Sequence, residues 1–142
     1  MKFYGEYTHQ VDDNGRIRIP SSFKEKLGST CKIMLGVNKS LVVMDNEYFN
    51  NMFAKKFADI DPTDTNKLRA LRLWSSNCAE IEYDKQGRVL LPMQLKKKVG
   101  IEKDIVIAGV GNWIEIWDAT NWSNYNNIGN LDTVFEEFNA VK

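Results

Sequence analysis

Two arginines, Arg16 and Arg88, each follow a glycine and stand four residues after an aspartate. The segments are Asp12-Asp13-Asn14-Gly15-Arg16 and Asp84-Lys85-Gln86-Gly87-Arg88. An aspartate opening a turn accepts amide protons from residues a little further on. An arginine just past the turn sits at a loop tip on a rigid strand, where binding residues concentrate. Its guanidinium can hold a phosphate, or the O6/N7 edge of guanine, through two parallel hydrogen bonds. A structural role in the turn is expected of Asp12, Gly15, Asp84 and Gly87. DNA contact is expected of Arg16 and Arg88, against the plainer alternative of Asp–Arg pairing within the turn. Arg18 lies on the same strand face as Arg16, and Asn14, Lys24 and Lys85 complete the expected DNA-binding set. Leu90 stands where a second Arg18 would be, so the first copy is expected to read DNA more strongly. Lys96, Lys97 and Lys98 have two readings, a solvated helix face or sequence-independent phosphate contacts.

Other reactive side chains point to packing. His9 falls on the apolar face of a strand, where a lone histidine is usually packed and hydrogen-bonded. Cys31 and Cys78 read as small buried hydrophobes, too few for a disulfide framework. Asp59–Asp64 has the acid density of a calcium loop but neither its central glycine nor its final glutamate. Trp113, Trp117 and Trp122 could stack on bases, although core anchoring is the commoner use. No nucleophile elbow, phosphate loop or metal motif occurs. An enzyme, a resident cofactor and a small-molecule substrate are therefore not expected.

The arginines belong to an internal repeat. Asp12–Pro20 aligns with Asp84–Pro92 at an offset of 72 residues. The likeness continues through Leu27/Val99 and Gly28/Gly100, and Ile33-Met34-Leu35 is matched with Ile105-Val106-Ile107. After one extra residue, Met44-Asp45 meets Trp117-Asp118. Phe3, Tyr7, His9 and Val11 alternate with mostly polar residues, the period of a half-buried strand. Asn14-Gly15 is a hairpin signal, since both residues tolerate positive φ. Ile17 and Ile19 face one way on the returning strand, Arg16 and Arg18 the other. Ser21 or Ser22 then caps a short helix ended by Gly28. Strands Lys32–Val37 and Leu41–Met44 follow, and Asp45 caps a helix with Tyr48, Phe49, Met52, Phe53 and Phe57 on one stripe. Asp61-Pro62 reads as the start of a linker helix bearing Leu68, Leu71 and Trp74. The asparagine-rich segment 121–130 is expected to loop or fray before a last helix with Leu131, Val134, Phe135 and Phe138.

This organisation gives a first module over residues 5–50, a helical linker over 51–76, a second module over 77–122, and a C-terminal loop and helix over 123–142. The fold class is mainly β with short helices, the two modules forming a pseudo-dimer. Neither half alone offers enough apolar surface for a stable core.

The whole chain has 142 residues, 43% hydrophobic and 27% charged, which suits one globular unit and argues against bulk disorder. No apolar run reaches the ~18 residues of a membrane span. The start of the sequence lacks the apolar stretch of a signal peptide, so a cytoplasmic location is expected. Net charge is zero, but residues 1–100 hold 17 basic and 12 acidic side chains, and residues 101–142 hold 2 and 7. Charges beyond ~8–10 Å are largely screened at physiological salt, so a polyanion responds to the local surface. Neutrality does not exclude DNA.

Phe3-Tyr4-Gly5-Glu6-Tyr7, the two Asp-x-x-x-Arg motifs, Ile19-Pro20 and Ile114-Glu115-Ile116-Trp117-Asp118 closely resemble the MraZ family over roughly residues 1–122. The resemblance implies a duplicated AbrB/SpoVT-like swapped-hairpin β-barrel. It also implies a nucleoid-associated bacterial regulator that binds short direct repeats in double-stranded promoter DNA and represses its own division and cell-wall operon. Association into ring-like homo-oligomers is implied too. An antitoxin-like protein-interaction module on the same barrel is the alternative.

Overall fold

The computed structural model describes residues 2–127 and 131–140. Its elements, in chain order, are strands β1 (Glu6–Gln10) and β2 (Arg16–Arg18), helix α1 (Ser21–Leu27), and strands β3 (Thr30–Leu35) and β4 (Leu41–Asp45). Helix α2 (Asn46–Phe49) runs through a π-helical turn (Asn50–Ala54) into α3 (Lys55–Phe57), and α4 (Thr65–Ser75) leads to the second copy. That copy holds β5 (Cys78–Glu82), β6 (Arg88–Leu90), α5 (Met93–Lys98), β7 (Asp104–Gly109) and β8 (Ile114–Asp118). Helices α6 (Ala119–Asn126) and α7 (Leu131–Ala140) follow.

Six strands form one antiparallel sheet in the order β1-β7-β8-β4-β3-β5, and β2 pairs with β6 in a separate two-stranded ribbon. The copies interleave: β1 pairs with β7 of the second copy, and β5 with β3 of the first. Ile17 and Val89 of the ribbon, Ile33 and Val43 of the first copy, and Ile107 and Ile116 of the second are all buried in one core. Phe23, Leu27 and Leu95 add the inner faces of α1 and α5. Each copy thus covers the other's apolar strands, which answers the shortage of surface in either half.

The ladders fix a pseudo-twofold relation. Ile17 lies opposite Val89, its own repeat partner, and Val42 lies opposite Glu115 in the same sense. Glu6 pairs with Ala108 as Cys78 pairs with Met34, so β3 and β7 correspond at an offset of 74 residues. The matching of Ile33-Met34-Leu35 with Ile105-Val106-Ile107 is therefore corrected by two positions. Cys31-Lys32-Ile33 is the equivalent of Ile105-Val106-Ile107. The connection from α5 to β7 is longer than that from α1 to β3 and absorbs the difference.

Several local expectations change. Only Gly15 in its turn adopts positive φ, at 78°; Asn14 does not. The turn closes locally, with the Asp12 amide donating to the Arg16 carbonyl at 2.9 Å, but β1 and β2 then part into different sheets. No side chain caps α1, which starts directly after Pro20. β3 begins at Thr30 and ends at Leu35. Asp45 does cap α2, accepting from the Tyr48 amide at 2.7 Å. The linker helix starts after Asp64, which accepts from the Lys67 amide; Asp61 instead holds Thr63 in the preceding turn. The asparagine-rich stretch is helical through Asn126, because Asp118 accepts from the Asn121 amide at 3.2 Å and starts α6. Residues 128–130 lie outside the described residues.

The aromatic stripe and the linker helix cover each other. The Trp74 ring lies 5.6 Å from Phe49, 5.3 Å from Phe53 and 4.9 Å from Phe57, centroid to centroid. Trp74→Ala is expected to cost about 2 kcal/mol or more, below the ~3–5 of a fully buried aromatic because Trp74 is partly exposed. Urea denaturation checks this, with an unchanged midpoint as the contrary result.

Candidate nucleic-acid interface

The β2–β6 ribbon turns Ile17 and Val89 inward, so strand alternation turns Arg16, Arg18, Arg88 and Leu90 outward. Arg16 lies opposite Leu90, and Arg18 opposite Arg88. Three arginines and one leucine thus occupy the four outward positions. Like charges directly opposite each other destabilise a strand pair, so the Arg18–Arg88 neighbours need compensation.

The turn aspartates supply it across the pseudo-twofold. Arg88 Nη1 donates to Asp12 Oδ2 at 3.1 Å. Its Nε lies 3.4 Å from Asp84 Oδ2, within ion-pair range but not aligned for a hydrogen bond. Arg16 Nε is held more loosely, 3.7 Å from Asp84 Oδ2. Arg18 Nη1 donates to the Gln86 carbonyl at 3.2 Å. Arg16 and Arg18 therefore have the weaker internal ties.

Each aspartate also organises its own turn. Asp12 Oδ1 accepts from the amides of Asn14 and Arg16, both at 2.9 Å. Asp84 Oδ1 does the same for Gln86 at 2.8 Å and Arg88 at 2.9 Å. The Arg16 amide is the largest influence holding the Asp12 carboxyl below its ordinary pKa. Desolvation opposes this, while the Asn14 amide and the Arg88 and Arg16 charges add to it. Asp84 is lowered for matching reasons, the Arg88 amide first.

A depressed folded-state pKa adds stability above the unfolded value, and that stability is lost as pH falls through the folded one. The two turns should therefore loosen as pH drops below ~4. Asp12→Asn with Asp84→Asn is expected to lower the urea midpoint at pH 6 and to flatten its decline between pH 6 and pH 3. An acid limb as steep as the parent's would contradict this.

Lysines extend the outward face at one end. Lys24 Nζ stands 4.9 Å above the Tyr83 ring, beside the Gly87 turn. Arg18, Lys24 and Lys85 line one cleft with His9, Ser21 and Gln86. Asn14 is exposed at the first turn. Lys98 turns away and donates to Asn77 at 2.6 Å. Cys31 is buried beside Tyr83, and burial pushes its thiol up to about 11; Cys78 is only half buried, contrary to expectation, and donates to the Trp74 carbonyl. Trp117 is buried, its indole nitrogen donating to Glu115. Trp113 also donates to Glu115, and Trp122 to Glu6. Among the described residues no cluster of three metal-ligating side chains occurs, and no helix is long and apolar enough to cross a membrane.

The sequence puts the arginines in one region but does not show the cross-copy partners, Asp12 for Arg88, Asp84 for Arg16, the Gln86 carbonyl for Arg18 and the Tyr83 ring for Lys24. The repeat offset held a usable signal. Once Ile17 and Val89 face each other, Arg18 must meet Arg88 and Arg16 must meet Leu90.

Two copies of strand, turn, strand, helix and hairpin, interleaved around one core, define a duplicated AbrB/SpoVT-like barrel, here with an arginine-rich ribbon on its outside. A family model described as "MraZ protein, putative antitoxin-like" matches residues 2–70 and 76–133, and the chain belongs to that family. It is 39% identical to the "Transcriptional regulator MraZ" of Acetivibrio thermocellus, over 91% of this chain and 90% of that protein. The protein of the same name from Carboxydothermus hydrogenoformans is 38% identical over 88% and 87%. That from Syntrophomonas wolfei is 33% identical over 95% and 92%.

Proposed function

We propose that the chain is a transcriptional regulator that binds double-stranded promoter DNA through the outward face of the β2–β6 ribbon. The observation that carries this is the set of three guanidiniums, two of them directly opposite, on a surface whose four outward side chains include no carboxylate. Like charges directly opposite each other cost a strand pair stability, and a bound polyanion would offset that cost. The names of the relatives agree with this reading. Modules 5–50 and 77–122 act as one DNA-binding unit, and binding rather than catalysis is its work.

The finer reading follows the family resemblance: short direct repeats in the promoter of its own division and cell-wall operon, repression, and action in the cytoplasm at the nucleoid. One ribbon is a small footprint for tight specific binding at physiological salt. Several subunits in a ring-like homo-oligomer would engage successive repeats, and linked sites raise avidity about 10²–10⁴-fold when geometry lets both bind. A gel shift with the DNA upstream of its own gene, against random duplex of equal length, tests the reading. A ladder of salt-sensitive shifts at lower protein concentration on the upstream DNA is expected. No preference over random duplex would favour the antitoxin-like alternative, a protein-binding module.

A further inference from the structure

The pseudo-twofold carries different side chains at its two ends. An unbroken twofold would repeat Arg18, Lys24 and Lys85 on the far side. The equivalents there, by the ladder register and the offset of 72, are Leu90, Lys96 and Asp13. Only one of these is a cation. The clefts flanking the ribbon show the result. The first has Arg18, Lys24 and Lys85 on its wall and no carboxylate. The second, related to it by the pairs His9/Ile81, Arg18/Leu90 and Pro20/Pro92, is lined by Glu80, Glu82 and Asp84 together with Arg16 and Arg88, and Glu80 is also paired with Lys32 at 2.6 Å.

Arg88 of the second cleft is already engaged with two carboxylates, and Arg16 lies loosely against one. Leu90 is 51% exposed. Asp13 is exposed at the turn tip, where Lys85 stands on the other side. Double-stranded DNA carries a negative charge about every 1.7 Å of its axis. It is attracted to the first cleft, whereas in the second Glu80, Glu82 and Asp84 offset Arg16, Arg88 and Lys32 and leave no net pull.

We propose that the ribbon grips the DNA backbone from one side of its pseudo-twofold, through Arg18, Lys24 and Lys85, and that Leu90 and Asp13 keep the other side off the phosphates. The inference rests on the reading of the ribbon as a DNA-binding face and adds a polarity to it. A chain with two equal ends would lie on DNA in either orientation with equal energy. This one has a basic end and a charge-balanced end, so each bound chain has a single direction along the duplex. The symmetry of the backbone is kept for folding and broken in the side chains for binding.

The test uses the full chain and duplexes that it selects from a pool randomised over 20 base pairs. Ethylation interference on both strands then maps the phosphates that matter. The expected pattern is a cluster of interfering phosphates on one side of the site centre. Leu90→Arg combined with Asp13→Lys restores the missing cations at two exposed positions. It is expected to add a second cluster on the opposite side, and to steepen the slope of log K against log salt by about two. Lys85→Asp should thin the original cluster and reduce the slope by about one. Wild-type interference that is symmetric about the centre overturns the proposal, and so does a doubly substituted chain that folds to the parental melting temperature without a second cluster. Failure to select any duplex from the pool is a different result, and it overturns the DNA-binding reading itself.

Discussion

Arg16→Ala combined with Arg18→Ala is expected to weaken binding to a cognate duplex at least ~30-fold while leaving the fold intact. Arg16 loses a bidentate contact to a base edge worth about 1–3 kcal/mol, and Arg18 a charge-assisted bond to a phosphate worth about 1.5–3 kcal/mol. The pair removes two of the three guanidiniums from the outward face of the ribbon. Both have weak internal ties, 3.7 Å to a carboxylate for Arg16 and one carbonyl for Arg18, so the barrel loses little. Arg88 is a poorer probe, since its removal would strip both turn aspartates of their nearest cation. Lys24→Ala should cost less and act alike on cognate and random DNA, because phosphate contacts carry no sequence information directly. Fluorescence anisotropy on both duplexes separates the roles. If the double arginine variant lowered both affinities in parallel, Arg16 too would be a phosphate ligand and not a reader of sequence.

Gly109→Ala is expected to destabilise the protein by about 3 kcal/mol or more, a large share of the ~5–15 kcal/mol that holds a domain together. A Cβ at Gly109 would stand 2.2 Å from the Tyr4 nitrogen and 2.6 Å from the Phe3 carbonyl carbon. Both are backbone atoms, so no side-chain rotation relieves the overlap. The amino-terminal segment would have to lift, breaking the 2.8 Å hydrogen bond from the Gly109 amide to the Gly5 carbonyl. It would draw Phe3 with it, a residue with no exposed surface whose ring packs edge-on against Phe23 at 5.7 Å. Phe→Ala in a core costs about 3–5 kcal/mol. The mechanism also predicts non-additivity, since neighbours that share one displacement do not sum. Phe3→Ala with Gly109→Ala should cost little more than Gly109→Ala alone. A single Gly109→Ala variant within ~0.5 kcal/mol of the parent would show that the segment is not pinned there.

The sequence made the two-fold organisation legible because the Asp-x-x-Gly-Arg turns impose hydrogen bonds that few other residue types can make. Both copies keep them, down to the paired amides on Asp12 and Asp84. The alternation of Ile17 and Ile19 with Arg16 and Arg18 likewise separated core from outward face correctly. Where the elements depart from expectation, tertiary context decides. The β3/β7 equivalence is set by pairing with β1 and β5, strands far away in sequence, and local identity pointed two residues off. The asparagine-rich segment forms α6 because it packs on β7 and β8 behind an aspartate cap. Asp61-Pro62 has the look of a helix start, yet the Asp61 carboxylate is taken up by the Thr63 amide and hydroxyl, and Asp64 caps the helix instead. For the site, residue types showed which side chains could hold an anion. Which of them were already held by carboxylates depended on cross-copy register, and no local pattern records that.

Hydrogen–deuterium exchange of the full chain, with and without a duplex selected by the chain, tests most directly whether the ribbon is the DNA-binding face. Protection on duplex addition is expected at residues 13–18 and 84–90, with the core of the six-stranded sheet unchanged and the Arg16→Ala, Arg18→Ala variant showing little of it. Protection confined to α2–α4 or α7, with exchange at both turns and the ribbon unaltered, would contradict the account.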